Sequence, residues 1–443
     1  MILNNEEVFM YRTVVKRMMV VMVIGFLMIT PLLAGGQGDK AEGGPTKLTL
    51  WTFNALHGDF YLDAMRRWNA EYPDQQIELE VVNTPNVEMH NQLNLAFQAG
   101  VGAPDIVDIN INFFSNFLKG DIQLVPLNDV VDPVRKSFVQ SRFDIYSKDG
   151  KVYGLPLHVG ATVVYYNMEI MDQAGVDVEA IRTWDDFEAA GRKVRDTLGI
   201  PMTIVETADQ RPFWPMIVQR GGDYLGPDGS VTMDSRINIE VLERLLRWVE
   251  EGIAVGAPGG MTSAEEFLPF MNNRGFAALI MPTWYMSRFL NYMPDIAGKV
   301  AVRPMPVWNA GDARSCGIGG TGSAVTRQSK NIELAKKFNA FAKLTVESNI
   351  KLWEILRFDP PRWEGVWDSP ELLKPDPYFY NERIFEMLIK LAEADQIPSP
   401  NAGELLADAQ TAVRNSVSFW VFEDKSRTPA QALREVAAEL RNK

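Results

Sequence analysis

One cysteine and three histidines stand in this chain of 443 residues, and those two scarcities remove whole classes of chemistry. With Cys316 alone, neither a disulfide nor a thiolate metal cluster can form within the chain, so stability must come from packing. No histidine lies near Cys316 in sequence, and it reads as a small apolar filler rather than a nucleophile. His57, His90 and His158 are too scattered for a paired-histidine zinc motif, and no Gly-x-Ser-x-Gly elbow appears. No catalytic residue, metal ligand or cofactor is therefore assigned. Basic charge is short as well: 44 lysines and arginines face 57 acids, for a formal net charge of −13. Phosphate backbones demand concentrated Lys and Arg, so nucleic acid is not an expected partner. Repeats and low-complexity stretches are lacking too.

Long apolar runs are limited to Met18 to Ile29, which breaks at Pro31. A spanning helix needs ~20 apolar residues, and this run is shorter. Arg12, Lys16 and Arg17 precede it and the small residues Ala34, Gly35 and Gly36 come after it, which is the charged, apolar and small-residue order of a secretory signal. Residues 1–34 are assigned to a cleaved signal, and the Gly-rich, charged stretch 35–46 to a flexible leader with nothing to bury.

The chain beyond residue 46 can fill large cores. Hydrophobic residues make up 46% of the whole sequence and charged residues 23%, the balance of an ordinary globular protein, and the length favours two domains. Strand and helix signals alternate. Leu48 to Phe53 favours a strand, and Phe60, Tyr61, Met65 and Trp68 mark a packed helix. Ile77 to Val82 is a second strand, Val87 to Ala99 a helix, and Asp105 to Ile109 a third strand. Such alternation implies a parallel sheet covered by helices, with ligands bound outside the carboxyl ends of its strands. Asp149-Gly150 before Lys151-Val152-Tyr153 is a hairpin signal, since two successive positive-φ positions are cheap for Asp and Gly. Pro156 ends that ladder, and Ala161 to Tyr166 reads as a strand leading to a short helix capped by Asn167. Thr183 caps a further helix with Asp186 in the capping-box position, and Thr428-Pro429 opens the last one.

The segment from Asp149 to Pro156, then the strand to Tyr166 and Asn167, resembles the crossover of the extracellular solute-binding proteins, family 1, the carbohydrate-binding branch of ABC importer receptors. Other segments match that family in its own order: Lys47 to Phe53, Gly102 to Ile109, Thr183 to Phe187, Gly275 to Met281 with Trp284, and Gly319-Gly320 with Ser329 to Phe338. They cover most of the chain after residue 46. The resemblance implies an α/β, two-lobed periplasmic binding protein fold of type II, whose discontinuous lobes are joined by hinge crossovers around a ligand cleft. Lobe 1 is expected to hold 47–156 and 306–347, and lobe 2 to hold 157–305 and 348–443. Crossings are expected near Leu155 to Gly160, Val302 to Val307 and Thr345 to Ile350.

Within that scaffold a sugar cleft needs flat apolar faces for pyranose rings and planar polar groups for hydroxyls. The resemblance points to Trp284, at a strand's carboxyl end, with Tyr285 beside it, although most of the 11 Trp, 12 Tyr and 23 Phe belong to cores. Asn54 and His57 follow the first strand and Asn110 the third, where hydroxyl partners are expected; the two asparagines could equally cap helices. His158 lies in the hinge link. Arg211 and Trp214 belong to a region like the family's Trp-Pro segment of the second lobe, where Trp214 could instead support the core. Arg362 and Trp363 follow Pro360-Pro361, in a loop comparable to one that relatives present at the cleft, or in a surface turn. Gly320 lies in Gly317 to Gly322, which satisfies a dinucleotide pattern but lacks the preceding strand and following helix. It reads as a close-approach glycine loop beside the cleft.

The implied function is binding rather than catalysis: a sugar or oligosaccharide held between lobes and delivered to ABC permease transmembrane subunits by a monomeric, exported, periplasmic protein. Gly36 stands where lipoprotein relatives carry their modified cysteine, so no lipid anchor is expected. Two alternatives remain: a receptor for a non-sugar solute such as a polyol, glycerol phosphate or polyamine, and a secreted carbohydrate-active enzyme.

Overall fold

Alternation builds the first sheet. In β1 (Thr46–Thr52) Leu48, Leu50 and Thr52 turn inward, and in β2 (Ile77–Asn83) Ile77 and Leu79 do the same. The two strands pair in parallel from Thr46 opposite Ile77 to Thr52 opposite Asn83, and β1 pairs in parallel with β3 (Ile106–Asn110). The computed structural model describes residues 44–443, so the expected signal 1–34 and leader residues 35–43 lie outside the described residues.

The connections are helical. Asn54 accepts the backbone N–H of Leu56 and starts α1 (Ala55–Glu71), whose inward stripe is His57, Phe60, Tyr61, Ala64 and Trp68. The helix α2 (Asn86–Ala99) ends at Gly100, whose φ of 70° suits a left-handed cap. A short helix, α3 (Ile111–Phe114), follows β3 directly. Two later strands, β4 (Leu155–Pro156) and β8 (Thr321–Val325), complete the sheet in the order β2-β1-β3-β8-β4, with β8 antiparallel to both neighbours. Thr321 lies opposite Asn110, so the Gly317–Gly320 loop arrives at the carboxyl edge of β1 and β3.

A second sheet is small and antiparallel, and the helices α4 (Met168–Gln173), α5 (Trp184–Leu198), α6 (Phe213–Gln219) and α7 (Arg236–Glu250) follow its central strand in the chain. Its centre is β5 (Thr162–Asn167), buried at every position, with β6 (Ala278–Pro282) on one side and β7 (Val300–Pro304) on the other. Period-two alternation divides β5 between two cores: Val163 and Tyr165 pack with Leu279, Met281 and Phe289, while Val164 and Tyr166 pack with Trp184 and Trp214. Among the described residues, no helix is long and apolar enough to cross a membrane.

Three segments run between the sheets. Residues 157–161 leave β4 for β5, residues 305–320 return from β7 to β8, and Ala161 bridges Gly317 where they meet. The third passes through Asp359, whose carboxylate accepts the N–H groups of Gly160 (3.0 Å) and Ala161 (2.8 Å). The helices α8 (Ile332–Leu344) and α9 (Val346–Leu356) both pack on α1. Helix α9 touches both cores: Leu352 and Leu356 pack with the first sheet's, and Val346, Ile350 and Trp353 with the second sheet's. Helix α10 (Leu406–Ala412) packs on α3, also beside the first sheet.

Local expectations hold at the turns and caps. Asp149 and Gly150 take φ of 51° and 75°, and Thr183 and Asp186 form the reciprocal capping box. Cys316 is buried, and burial pushes its thiol up to about 12. The glycine pattern 317–322 ends inside strand β8 rather than at a helix start, as its loop reading requires.

Candidate ligand-binding site

The carboxyl edge of the first sheet carries one wall. His57 lies one turn into α1 and meets buried Asp108 of β3, with Nδ1 3.2 Å from the carboxylate. Asp108 also accepts from the Tyr61 hydroxyl at 2.9 Å and from Thr52 at 3.3 Å. Lys343 lies over the Phe60 and Tyr61 rings, 4.9 and 4.1 Å from their centroids, with no hydrogen-bond partner on its ammonium among the described residues. Burial lowers the Lys343 pKa to about 8. Burial also resists ionisation of Asp108, yet the Lys343 charge and the His57 and Tyr61 hydrogen bonds hold its carboxyl below the usual range. For His57, burial outweighs Asp108 and keeps the ring pKa low. The neutral ring then donates from Nδ1 and leaves Nε2 as an acceptor.

Aromatic groups finish this wall. Phe53 meets His57 edge-on at 5.4 Å, and His90 stacks on Phe113 at 4.2 Å. His90 receives the Asn110 N–H on Nε2 (3.0 Å) and faces the Asn86 carbonyl with Nδ1 (2.6 Å), so both nitrogens are engaged. Burial brings its pKa to about 4. Asn54 and Asn110 spend their side-chain oxygens on helix caps, at 3.1 and 2.9 Å.

The opposite wall follows β6. Pro282 turns the chain, and Trp284 stands half-buried at the strand's carboxyl end, its indole N–H donating to the Ile318 carbonyl at 3.2 Å. A Cβ on Gly319 (φ 85°) would lie 2.8 Å from that indole nitrogen, so this close approach needs glycine. Two guanidinium groups flank the ring, Arg211 and Arg288, each 5.5 Å from it. Arg211 is held by Glu206 (3.1 Å) and Asp209 (2.5 Å). Tyr285 is fully buried beneath, donating to the Thr262 carbonyl at 2.8 Å.

The crossings meet between the walls. His158 packs edge-on against Phe358 at 4.9 Å, and Phe358 packs in the same way against His57 at 5.6 Å. Arg142 donates to the carbonyls of Gly319 (2.7 Å) and Gly317 (3.3 Å), pinning the glycine loop. A Cβ on Gly320 (φ 155°) would meet the Tyr146 hydroxyl at 2.4 Å and the Arg142 guanidinium at 2.7 Å. On the reverse face, Val159 and Asp359 line a cavity of about 240 Å³ with Trp367 and Phe385.

The structure thus brings Asn54, His57, Asn110, His158, Arg211, Trp284 and Gly320 to one junction. Trp214 and Tyr285 lie in the core behind it: Trp214 donates to Asp223 at 3.1 Å and stacks on Tyr224. Arg362 and Trp363 require a positional correction. Arg362 donates to the Leu344 carbonyl at 2.8 Å, stacks on Phe138, and lines a surface groove with Trp68, Tyr72 and Phe341. Trp363 is 44% exposed, and its N–H is held by the Ser137 carbonyl. The physical reason is the continued packing of α9 on α1, which carries this loop to the outer side of the first sheet. Phe113, His90, Phe358 and Arg288 were not foreseen at the junction. Arg288 follows Trp284 by four positions, one helical turn, and that spacing was a readable signal.

Two sheets flanked by helices and joined by three crossing segments form the architecture of a binding protein. The chain belongs to the bacterial extracellular solute-binding protein family, whose sequence pattern matches residues 54–345. It is a non-enzymatic transport component. It is 43% identical to the arabinooligosaccharide-binding protein of Bacillus subtilis (strain 168) over 97% of this chain and 100% of that one. It is 46% identical to the arabinooligosaccharide-binding protein of Halalkalibacterium halodurans over 90% of this chain and 89% of that one. A similar solved structure is the ABC transporter associated binding protein of B. animalis subsp. lactis Bl-04 in complex with β-1,6-galactobiose. The TM-score is 0.76 at 20% identity, covering 90% of this chain and 97% of that one. That likeness establishes the periplasmic binding protein fold.

Proposed function

We propose that this protein is the sugar-binding component of an ABC importer and that its ligand is an oligosaccharide built from arabinose. The carrying observation is the half-buried Trp284 ring, fixed at its indole nitrogen and flanked by Arg211 and Arg288. A flat apolar face held between donors stacks on a sugar ring while the donors take its oxygens. The two curated relatives at 43% and 46% identity, both arabinooligosaccharide-binding proteins, support this ligand class. In our reading the two sheets belong to two lobes hinged at 157–161, 305–320 and 357–361. The ligand closes them because it binds the closed form more tightly, and a permease's transmembrane subunits read the closed shape. The protein acts as an exported monomer with a cleaved signal, and Asn54, His57, Asn110, His158, Arg211, Trp284 and Gly320 border its cleft.

A tryptophan-fluorescence titration of residues 44–443 tests this. Arabinobiose and arabinotriose should give saturable changes, and maltotriose, lactose, glycerol phosphate and spermidine should give none. A response to glycerol phosphate or spermidine alone would remove the carbohydrate reading while leaving the fold. A response to maltotriose or lactose alone would keep the sugar and discard arabinose.

A further inference from the structure

Three arginines stand at the junction, and their partners differ. Arg211 has two carboxylates, Glu206 and Asp209. Arg288 has neither an ion pair nor a hydrogen-bond partner among the described residues; its guanidinium lies 5.5 Å from the Trp284 ring and 5.2 Å from the Tyr285 ring. Arg414 also has no ion pair among the described residues. It makes contacts within its own helix, to the Gln410 carbonyl (3.4 Å) and the Thr411 hydroxyl (3.1 Å), and lies 5.5 Å from the Phe113 ring on the far wall.

The helix that carries Arg414 explains its reach. After α10 the backbone widens into two π-helical stretches, Val413–Val417 and Phe419–Glu423. Such widenings are uncommon, and they frequently occur at functional sites. The first end of this segment is fastened to the first sheet's side, with Ala407 donating to the Ser115 hydroxyl (3.4 Å) and Lys119 paired with Asp408 (3.3 Å). Its later turns reach the other wall: Ser418 donates to the Asp209 carbonyl at 2.7 Å, and Thr207 donates to Glu423 at 2.5 Å. Arg414 therefore stands where the segment passes from one wall to the other. Burial, chiefly, holds the Arg288 and Arg414 guanidinium groups below their ordinary value, with the charge of Arg211 adding to it against Tyr285 for Arg288 and Asp209 for Arg414.

We propose that Arg288 and Arg414 are specificity-determining residues that grip the hydroxyl and ring-oxygen acceptors of a neutral oligosaccharide, Arg288 beside the Trp284 ring and Arg414 at the Phe113 rim. This rests on the sugar-binding reading above. A guanidinium offers five N–H donors in a fixed fork and no acceptor, so it selects oxygen acceptors presented in pairs. Among the described residues neither guanidinium holds a buried nitrogen without a partner, so water solvates the free donors, and a ligand gains by replacing that water in a fixed geometry.

The experiment measures binding of arabinobiose and arabinotriose to residues 44–443 by titration calorimetry, for the wild type, Arg288→Gln, Arg288→Lys and Arg414→Gln, with Tm recorded for each. Arg288→Gln should weaken both sugars by roughly 10- to 100-fold, the size of a lost charged hydrogen-bond pair. Arg288→Lys should recover little of this, since it restores the charge and not the fork. Arg414→Gln should weaken arabinotriose by about 10-fold and spare arabinobiose, because only a longer ligand spans from the Trp284 ring to the Phe113 rim. A structural role would lower Tm and weaken both sugars together, and that result would overturn the proposal for Arg414. Affinities within twofold of wild type at unchanged Tm would overturn it for either residue. Full recovery by Arg288→Lys would replace fork recognition with simple charge. A wild type that binds neither sugar would instead defeat the arabinose reading on which the inference rests.

Discussion

The two walls of the junction differ in how their polar groups are used. On the first sheet's side nearly every group is engaged internally: Asp108 holds His57, Tyr61 and Thr52, His90 uses both ring nitrogens, and Asn54 and Asn110 cap helices. On the other side Arg211 is engaged, but Arg288 and Arg414 keep their forks free of acids among the described residues. One wall supplies a preformed surface of rings, and the other supplies donors. Preorganisation on one side lowers the ordering cost of binding, and donors free of ion pairs on the other concentrate selectivity there. Substitutions should accordingly separate: stability falls on the first wall, affinity on the second.

Asp108→Ala should show the largest effect. It leaves Lys343 charged and buried without a counter-charge and strips the acceptor from His57 and Tyr61, a loss of about 3–5 kcal/mol. Urea unfolding measures it, with Arg288→Gln as the contrast, where the change should stay within about 0.5 kcal/mol. A mild effect from Asp108→Ala would erase the difference between the walls.

Lys343 sharpens the same point through pH. The folded chain releases its proton near 8, while the unfolded chain holds it to the ordinary value of 10.5. Between those values the unfolded state binds more protons, so stability rises with pH across that window, by about 3 kcal/mol at most. Below pH 8 both states are protonated and the full burial penalty remains. Urea unfolding from pH 7 to 10.5 should show the rise, and Lys343→Met should flatten it; an unchanged slope in that variant would assign the rise to other groups.

Much of the fold was legible. The strands β1, β2 and β3, the Asp149-Gly150 turn and the Thr183–Asp186 box are local arrangements, governed by alternation, positive φ and side-chain reach. Trp284 was legible for a similar reason, since Pro282 ends a buried strand and the next residues must emerge at its edge. Arg362 and Trp363 were misplaced because their loop depends on where α9 packs, which no local pattern encodes. Arg414 meets Phe113 across 301 positions of sequence, and the π-helical widening that aims it carries no residue signature. The buried charge of Lys343 was equally silent: in sequence it is one more helical lysine.

Trp284 tests the second wall at intermediate size. Trp284→Ala should weaken arabinotriose by about 2 kcal/mol, roughly 30-fold, as for a central aromatic anchor. Trp284→Phe keeps a ring but loses the N–H bond to Ile318, and should retain most of the affinity. Calorimetric titration distinguishes them; equal losses in both would mean that the bond to the glycine loop, not the ring face, matters.

The smallest effect asks whether the first wall is only a surface. Asn54 caps α1 through its side-chain oxygen, and its side-chain nitrogen has no partner among the described residues. Asn54→Ala should cost about 1 kcal/mol of stability, the usual value of a cap. Asn54→Asp keeps the cap oxygen and should leave stability within about 0.5 kcal/mol, because Asn and Asp cap about equally well. The variant exchanges a donor for a second acceptor at the mouth of the junction. If the first wall contributes shape alone, arabinotriose should bind Asn54→Asp as it binds the wild type. A selective loss of affinity at full stability would show that this wall also reads the ligand's hydroxyls, and the division of labour between the walls would then be one of degree.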